Sequence, residues 1–388
     1  MLEPRKIYDG GCTEECFEVS RTVNCLISGP GGKVIVCAHR YTVRDDFDSK
    51  RAMLGLCYIL EPDLSLPPNK NIGANNILVV REALRGKKLK VVADFDNHLK
   101  YGVCQVGTAV SWTKPTNTSQ DRDYALFGAP GCFNWRGNLL GQRTGSISKY
   151  QQALGEEDNA NYTKHGHLGL AVTSGVFFDG ELQFVTGAPH VNRGEAGTGE
   201  IYFYTLNRKS DKLEMNDQWT LSGGSFGAGY GFSLATVDAN GDGEDDLLVS
   251  APFTDSEGRG GSVFLYLNQD SGLRRESFVE IRGAGPEGQF GLAVSSVGDI
   301  NKDGYDDFAV GSPYEGAGVV YLFLGGVHGV SRLKYGTPWL KAEQVSSQTI
   351  RASDFLAPGH IPVPADFASF GASLSGGMDL DDNDYPGE

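Results

Sequence analysis

Residues 227–252 read GAGYGFSLATVDANGDGEDDLLVSAP, and residues 287–313 read EGQFGLAVSSVGDINKDGYDDFAVGSP. Gly231 and Gly291, the glycines after the aromatic openings, lie 60 positions apart, and the acidic starts Asp238 and Asp299 lie 61 apart. A period of this size, holding a strand, a turn and a strand, marks a repeat architecture. No unit buries its own hydrophobic face, so its neighbours must do it.

The same opening, a large residue followed by Gly, occurs at Tyr101-Gly102, Leu168-Gly169, Tyr230-Gly231, Phe290-Gly291 and Phe370-Gly371. The first four are each followed by an apolar stretch ending in Gly-Ala-Pro or a variant, at Pro130, Pro189, Pro252 and Pro313. A Gly-rich turn and a further strand come next, as in GEIYFYTL, GSVFLYL and GVVYLFL, where large apolar and aromatic residues alternate. Each unit reads as an antiparallel sheet of three or four strands, and the fold class is all-β: a β-propeller, whose radial closure leaves few exposed edges. VIVCA (34–38) and LCYIL (56–60) read as the middle strands of an earlier blade. Residues 329–368, with four prolines and no period, read as a long loop or insertion. The unit opened at Phe370 shows only a first strand and an acidic turn.

Composition agrees. The 53 glycines are roughly twice the usual ~7 % share and fall between short apolar runs, as tight turns require. A net charge of −15 repels phosphate backbones, which excludes nucleic acid as a partner. No apolar run reaches the ~18 residues of a spanning helix, and the opening MLEPRKIYDGG lacks a signal-peptide core. Five of the seven cysteines (Cys12, Cys16, Cys25, Cys37, Cys57) crowd into the first sixty residues. With the glycosylation acceptors Asn117 and Asn161, they point to an extracellular origin.

In the first acidic loop, oxygen side chains fall at positions one, three, five and nine, at Asp238, Asn240, Asp242 and Asp246, with Gly243 at six. Asp299, Asn301, Asp303, Gly304 and Asp307 repeat the pattern. Glu244 and Tyr305, at position seven, would add a backbone carbonyl. A hard cation such as Ca²⁺ takes six to eight oxygens, and a tight loop with alternate residues facing inward supplies them. An EF-hand would need Glu at position twelve and helical flanks, but position twelve is Val249 or Val310 in a strand. The pattern is a calcium β-hairpin; the bland alternative is a polar turn, in which the converging acids would repel one another. A third loop carries Asp379, Asp381 and Asn383 in register but has Asp384 at position six and Gly387 at nine, a poorer match.

Catalytic signals are weak. Gly223-Gly224-Ser225-Phe226-Gly227 matches G-x-S-x-G, yet a strand follows rather than the helix of a nucleophile elbow. Gly283, Gly285 and Gly288 match G-x-G-x-x-G with the same defect. His165 and His167 share one face of a strand, but no carboxylate or cysteine completes a metal set, so they read as loop histidines.

The aromatic-Gly opening, the DxNxDG loop and the GAP strand end together make up the FG-GAP repeat. Through GPGGKVIVCAHRY, LCYIL, FGAPGCFNWRGNLL, VTGAPHVNRG and GMDLDDNDYP the chain resembles the seven-bladed propeller head of integrin alpha subunits without an inserted I domain, the laminin-binding subclass above all. The resemblance implies part of blade one, blades two to six and the start of blade seven across residues 1–388, a fragment whose signal peptide and transmembrane helix lie elsewhere. It implies a nonenzymatic adhesion-receptor subunit at the cell surface, paired with an integrin beta subunit and contributing to binding of matrix protein such as laminin. Calcium in the loops would brace the blades from the face opposite the ligand. Where some members carry RGD-binding acids, this chain has Ser111, and Lys164 with His165. The segments 141–165 and 112–117, the latter starting at Trp112, are then the candidates for ligand contact. Among Leu170, Phe232, Leu292 and Ala372, which line the central channel in the family, Phe232 alone is aromatic. The resemblance also implies a Cys37–Cys57 disulfide and a shortened counterpart of another in Cys12 with Cys16. Cys104 lacks the family's upstream partner, and the pairing of Cys25, Cys104 and Cys132 stays open. The alternative function is a calcium-stabilised accessory module of a secreted enzyme, since FG-GAP propellers also occur beside catalytic domains.

Overall fold

The computed structural model describes residues 17–18, 25–28, 33–44, 51–65, 76–77, 102–113, 124–143, 150–152, 166–178, 180–191, 197–207, 212–256, 259–269, 272–331, 340–355 and 369–376. The chain divides into two compact units, 1–169 and 170–388.

The first unit holds β1 (Phe17–Glu18), β2 (Cys25–Ser28), β3 (Val34–Ala38), β4 (Thr42–Arg44), β5 (Arg51–Met53), β6 (Leu56–Leu60), β7 (Asn76–Ile77), β8 (Val110–Trp112), β9 (Tyr124–Gly128), β10 (Leu139–Arg143) and β11 (Tyr150–Gln152). Two four-stranded sheets, β2-β3-β6-β7 and β8-β9-β10-β11, stand beside a small β1-β4-β5 sheet. VIVCA and LCYIL are the middle strands of the first of these. Along β3 only Ile35 and Cys37 are fully buried, the alternation of a strand with one face on the core. β9 is buried along its whole length, as a middle strand between two blades' cores would be.

In the second unit, β12 (Ala171–Phe178), β13 (Glu181–Ala188), β14 (Glu200–Asn207) and β15 (Lys212–Ser222) form one antiparallel meander. A second runs β16 (Leu234–Val237), β17 (Asp246–Ser256), β18 (Arg259–Asn268) and β19 (Leu273–Arg282). The third begins β20 (Ala293–Gly298), β21 (Asp307–Ser312), β22 (Val319–Phe323). The opening strands β12, β16 and β20 pack side by side, the arrangement of propeller blades around an axis. Between blades lie continuous apolar layers: Phe177, Val185, Ile201 and Phe203 of the first meet Leu247, Val249 and Tyr266 of the second.

The repeated glycines have a steric cause. Gly231 donates its N–H to the Ser250 carbonyl at 2.8 Å within its own blade. A Cβ on Gly187, in the Gly-Ala-Pro of the preceding blade, would lie 1.9 Å from the Gly231 carbonyl oxygen. Gly311 meets Gly371 at the same distance. The FG glycine of one blade and the GAP glycine of the blade before it are thus a backbone-to-backbone contact that a side chain would break.

The stretch 329–368 is not irregular throughout. β23 (Leu340–Lys341) adds in parallel to the edge of β19, a one-turn helix follows at Ala342–Val345, and β24 (Gln348–Arg351) is the fourth strand of the β20 blade. Outer strands are half exposed, so Gln348-Thr-Ile-Arg351 carries no apolar alternation to betray it.

Candidate functional site

The acidic loops connect the first and second strands of the β16 and β20 blades and are held by their own carboxylates. In the first, Asp238 Oδ1 accepts the Asp242 N–H at 3.1 Å and Oδ2 the Gly243 N–H at 3.0 Å, while Asp242 Oδ1 accepts the Glu244 N–H at 2.9 Å. The second loop repeats these bonds through Asp299 to Asp303 and Gly304, and through Asp303 to Tyr305. Position nine is the anchor. Asp246, 0 % exposed, accepts from Ala239 N at 3.0 Å and from Asn268 N at 2.7 Å, tying the loop to the turn between the third and fourth strands. Asp307 does the same with Ile300 N at 3.0 Å and Gly325 N at 2.8 Å.

Burial pushes the Asp246 carboxyl up to about 8 against the pull of those N–H groups, and the charges of Asp242 and Asp238 raise it further. Asp307 rises to about 6 for the same reasons, burial first. Asp238 is also raised, chiefly by burial. Among the described residues no group of three or more His, Cys, Asp or Glu side chains stands in a geometry that could hold a metal ion. The fit to a hard cation lies in the donor set, all oxygen and acidic at alternate positions, and not in a finished cage.

The loops also bind to each other through position eight, which the Ca²⁺ ligand pattern does not use. Asp306 Oδ2 lies 3.3 Å from Asp238 N as acceptor, and the Asp306 N–H donates to the Asp238 carbonyl at 2.9 Å. Asp245 Oδ2 accepts the Val176 N–H of the preceding blade at 2.8 Å. The sequence signal for it is the Asp-Asp doublet in GEDD and GYDD, whose first Asp is position eight.

In a four-stranded meander the connections alternate between ends, so the acidic loops lie opposite the segments that follow the second and fourth strands. At that other end of the second unit Phe226 is 78 % exposed, Tyr314 52 % and Phe253 41 %. Phe253 donates its N–H to Ala228 O at 3.0 Å and Tyr314 to Gly288 O at 3.2 Å, the same bond in successive blades. Phe232, half-buried, meets Phe253 edge-on with ring centroids 5.4 Å apart.

The FG-GAP repeat family model matches residues 230–266 and 290–323. The chain is 33 % identical over 380 residues to integrin alpha-7 of Rattus norvegicus, covering 94 % of this chain and 29 % of that protein. It is 31 % identical over 377 residues to integrin alpha-6 of Gallus gallus, covering 92 % of this chain and 31 % of that one. Against integrin alpha-3 of Cricetulus griseus it is 32 % identical over 374 residues, 94 % and 30 % of the two chains. The chain belongs to the integrin alpha family. It spans about three tenths of the length of these integrin relatives.

Within this integrin alpha sequence the structure bonds Cys37 to Cys57 across β3 and β6, where the two are paired in register. It also bonds Cys104 to Cys132, which settles the pairing of two of the three cysteines that the sequence leaves open. The Gly131 N–H donates to the Cys104 carbonyl at 3.2 Å, which sets Cys132 beside Cys104, and the turn that follows carries Phe133, Asn134 and Trp135 in left-handed backbone. Trp112 lies on β8 with Ser111 rather than in a loop, and its buried indole N–H has no acceptor among the described residues. Parts of 141–165 are likewise strand, in β10 and β11, because Leu139–Arg143 pairs along Tyr124–Gly128. His167 is not on a strand face: its φ is 56°, and its ring meets Trp135 edge-on at 5.3 Å. Cys12, Cys16, Asn117, Asn161, Lys164, His165, Asp379, Asp381 and Asn383 lie outside the described residues.

Proposed function

We propose that this chain is the propeller head of a cell-surface adhesion receptor, pairing with an integrin beta subunit and contributing, without catalysis, to recognition of extracellular-matrix protein of the laminin type. The similarity to integrin alpha-7, -6 and -3 along nearly the whole chain is the observation that carries this reading. The exposed aromatics Phe226, Phe253 and Tyr314, with Phe232 behind them, give the second unit an apolar end suited to a protein partner. Ser111, Trp112, Lys164 and His165 are the further candidates for partner or ligand contact.

Calcium occupies the two loops in this reading, held by Asp238, Asn240, Asp242, the Glu244 carbonyl and Asp246, and by Asp299, Asn301, Asp303, the Tyr305 carbonyl and Asp307. When bound it supplies positive charge to crowded carboxylates and braces the hairpins, at the end away from the aromatics. Asp379, Asp381 and Asn383 are a weaker third set. The test is coexpression with an integrin beta ectodomain, followed by measurement of complex formation and of binding to immobilised laminin. A stable heterodimer that binds laminin is expected, and a correctly folded chain that captures no beta subunit overturns the reading. Excess chelator should lower the melting temperature; an unchanged melting curve removes calcium from the account.

A further inference from the structure

Asn240 is the one asparagine in the sequence followed directly by glycine. We propose that Asn240-Gly241 is a site of spontaneous deamidation, set at the junction of the two acidic loops. Asparagine is a thermolabile residue because the backbone nitrogen of the next residue can attack its side-chain amide carbon. Glycine there leaves that nitrogen unshielded and the backbone free to turn toward it. In the reaction Gly241 N loses its proton and bonds to Asn240 Cγ, the Cγ–Nδ2 bond breaks, and ammonia leaves. One water then opens the five-membered imide. Opening at the side-chain carbonyl gives aspartate, and opening at the main-chain carbonyl gives isoaspartate, in which the main chain runs through the side chain.

The loop supplies what the reaction needs. Residues Gly241 to Glu244 are exposed, so water reaches the bond. The other loop provides an internal control of nearly the same geometry. Asn240 Nδ2 donates to Asp242 Oδ2 at 2.7 Å and Asn240 Oδ1 accepts from Asp242 N at 3.2 Å; for Asn301 and Asp303 the distances are 2.9 and 3.1 Å. Gly241 and Lys302 share left-handed backbone, with φ of 68° and 57°. The two sites differ in the side chain that follows the asparagine and in burial, Asn240 being half-buried and Asn301 exposed.

Packing explains why the labile pair is there. A Cβ at Gly241 would stand 2.6 Å from the Gly304 carbonyl oxygen and 2.9 Å from the Tyr305 ring, so the contact between loops demands glycine. The product acts on that same contact. Isoaspartate lengthens the main chain beside Gly304 and Tyr305 and adds a negative charge next to Asp238 and Asp242, which loosens the loops from each other.

The experiment incubates the full chain, folded, at neutral pH and physiological temperature. Peptide mapping by mass spectrometry and isoaspartyl methyltransferase labelling then follow residues 240 and 301 over time. Acid and isoaspartate should accumulate at 240 while 301 stays amide. In Lys302→Gly, residue 301 should become labile as well. Equal persistence of both amides in the folded wild-type chain, or conversion of 240 only after denaturation, overturns the proposal. A Lys302→Gly chain whose Asn301 stays intact overturns it too, because the following side chain would then not govern the rate.

Discussion

The β12 blade and the β16 blade solve one problem with different chemistry. Each must fasten the turn between its first and second strands to the strand below. In the β12 blade the neutral side chain of Gln183, 2 % exposed, accepts from Phe177 N at 2.7 Å and Phe178 N at 3.2 Å, and donates to Phe178 O at 3.0 Å. In the β16 blade the equivalent place is held by the carboxylate of Asp246, equally buried and surrounded by further acids. An amide satisfies its partners with no charge to desolvate, so the β12 hairpin is complete in itself. A buried carboxylate among like charges is not, because neutralising it takes either a proton or a cation. The difference separates a self-sufficient hairpin from one that is tuned by what it binds.

The largest effect expected from this contrast is on pH dependence in excess chelator. Folded Asp246 holds its proton to about 8, whereas the unfolded chain releases it near the ordinary value of 3.8. The folded state therefore binds the extra proton between those limits, and metal-free stability should fall as pH rises through that window. Urea titrations at a series of pH values measure it, and saturating calcium should flatten the slope. A metal-free stability that rises across the window would show that the carboxylate is not the burden described here.

A paired substitution comes next. Asp246→Ala at saturating calcium strands two buried N–H groups and should cost about 3 kcal/mol, measured as a shift in urea midpoint. Gln183→Ala strands the corresponding pair and should cost about 2 kcal/mol. The sharper expectation is that only the first loss depends on calcium. If chelator changes both losses alike, the two hairpins are not chemically distinct.

The smallest effect belongs to position eight. Asp306→Ala removes the side-chain link from one acidic loop to the Asp238 N–H of the other and should cost about 1 kcal/mol. Calcium titrations by calorimetry on wild type and variant would show whether the link also joins the two loops in binding. Linked sites would titrate together in wild type and separately in Asp306→Ala.

Much of this was legible before any coordinates, because propeller repeats write their constraints locally. Tyr230-Gly231 and Phe290-Gly291, the GAP ends and the DxNxDG loops each sit within a few residues of one another, and their period counts blades. What was hidden depends on contacts between distant segments. β24 is a half-exposed outer strand with little apolar pattern, so only its pairing with β22 identifies it. The Cys104–Cys132 bond depends on the segment after β9 folding back so that the Gly131 N–H meets the Cys104 carbonyl, a contact that no composition rule announces. Gln183 looks like any strand glutamine until the turn N–H groups close around it.

By itself the sequence determined the all-β repeat class, the blade count of its middle part, the oxygen-rich loops and the integrin resemblance, since each is encoded in a short spacing. Only the tertiary structure decided that Asp246 and Asp307 are buried anchors, that Asp306 reaches back to the preceding loop, and that Gly241 is required where two loops meet. Burial and cross-blade hydrogen bonds arise when neighbouring repeats stack, and that stacking brings together residues 68 and 69 positions apart.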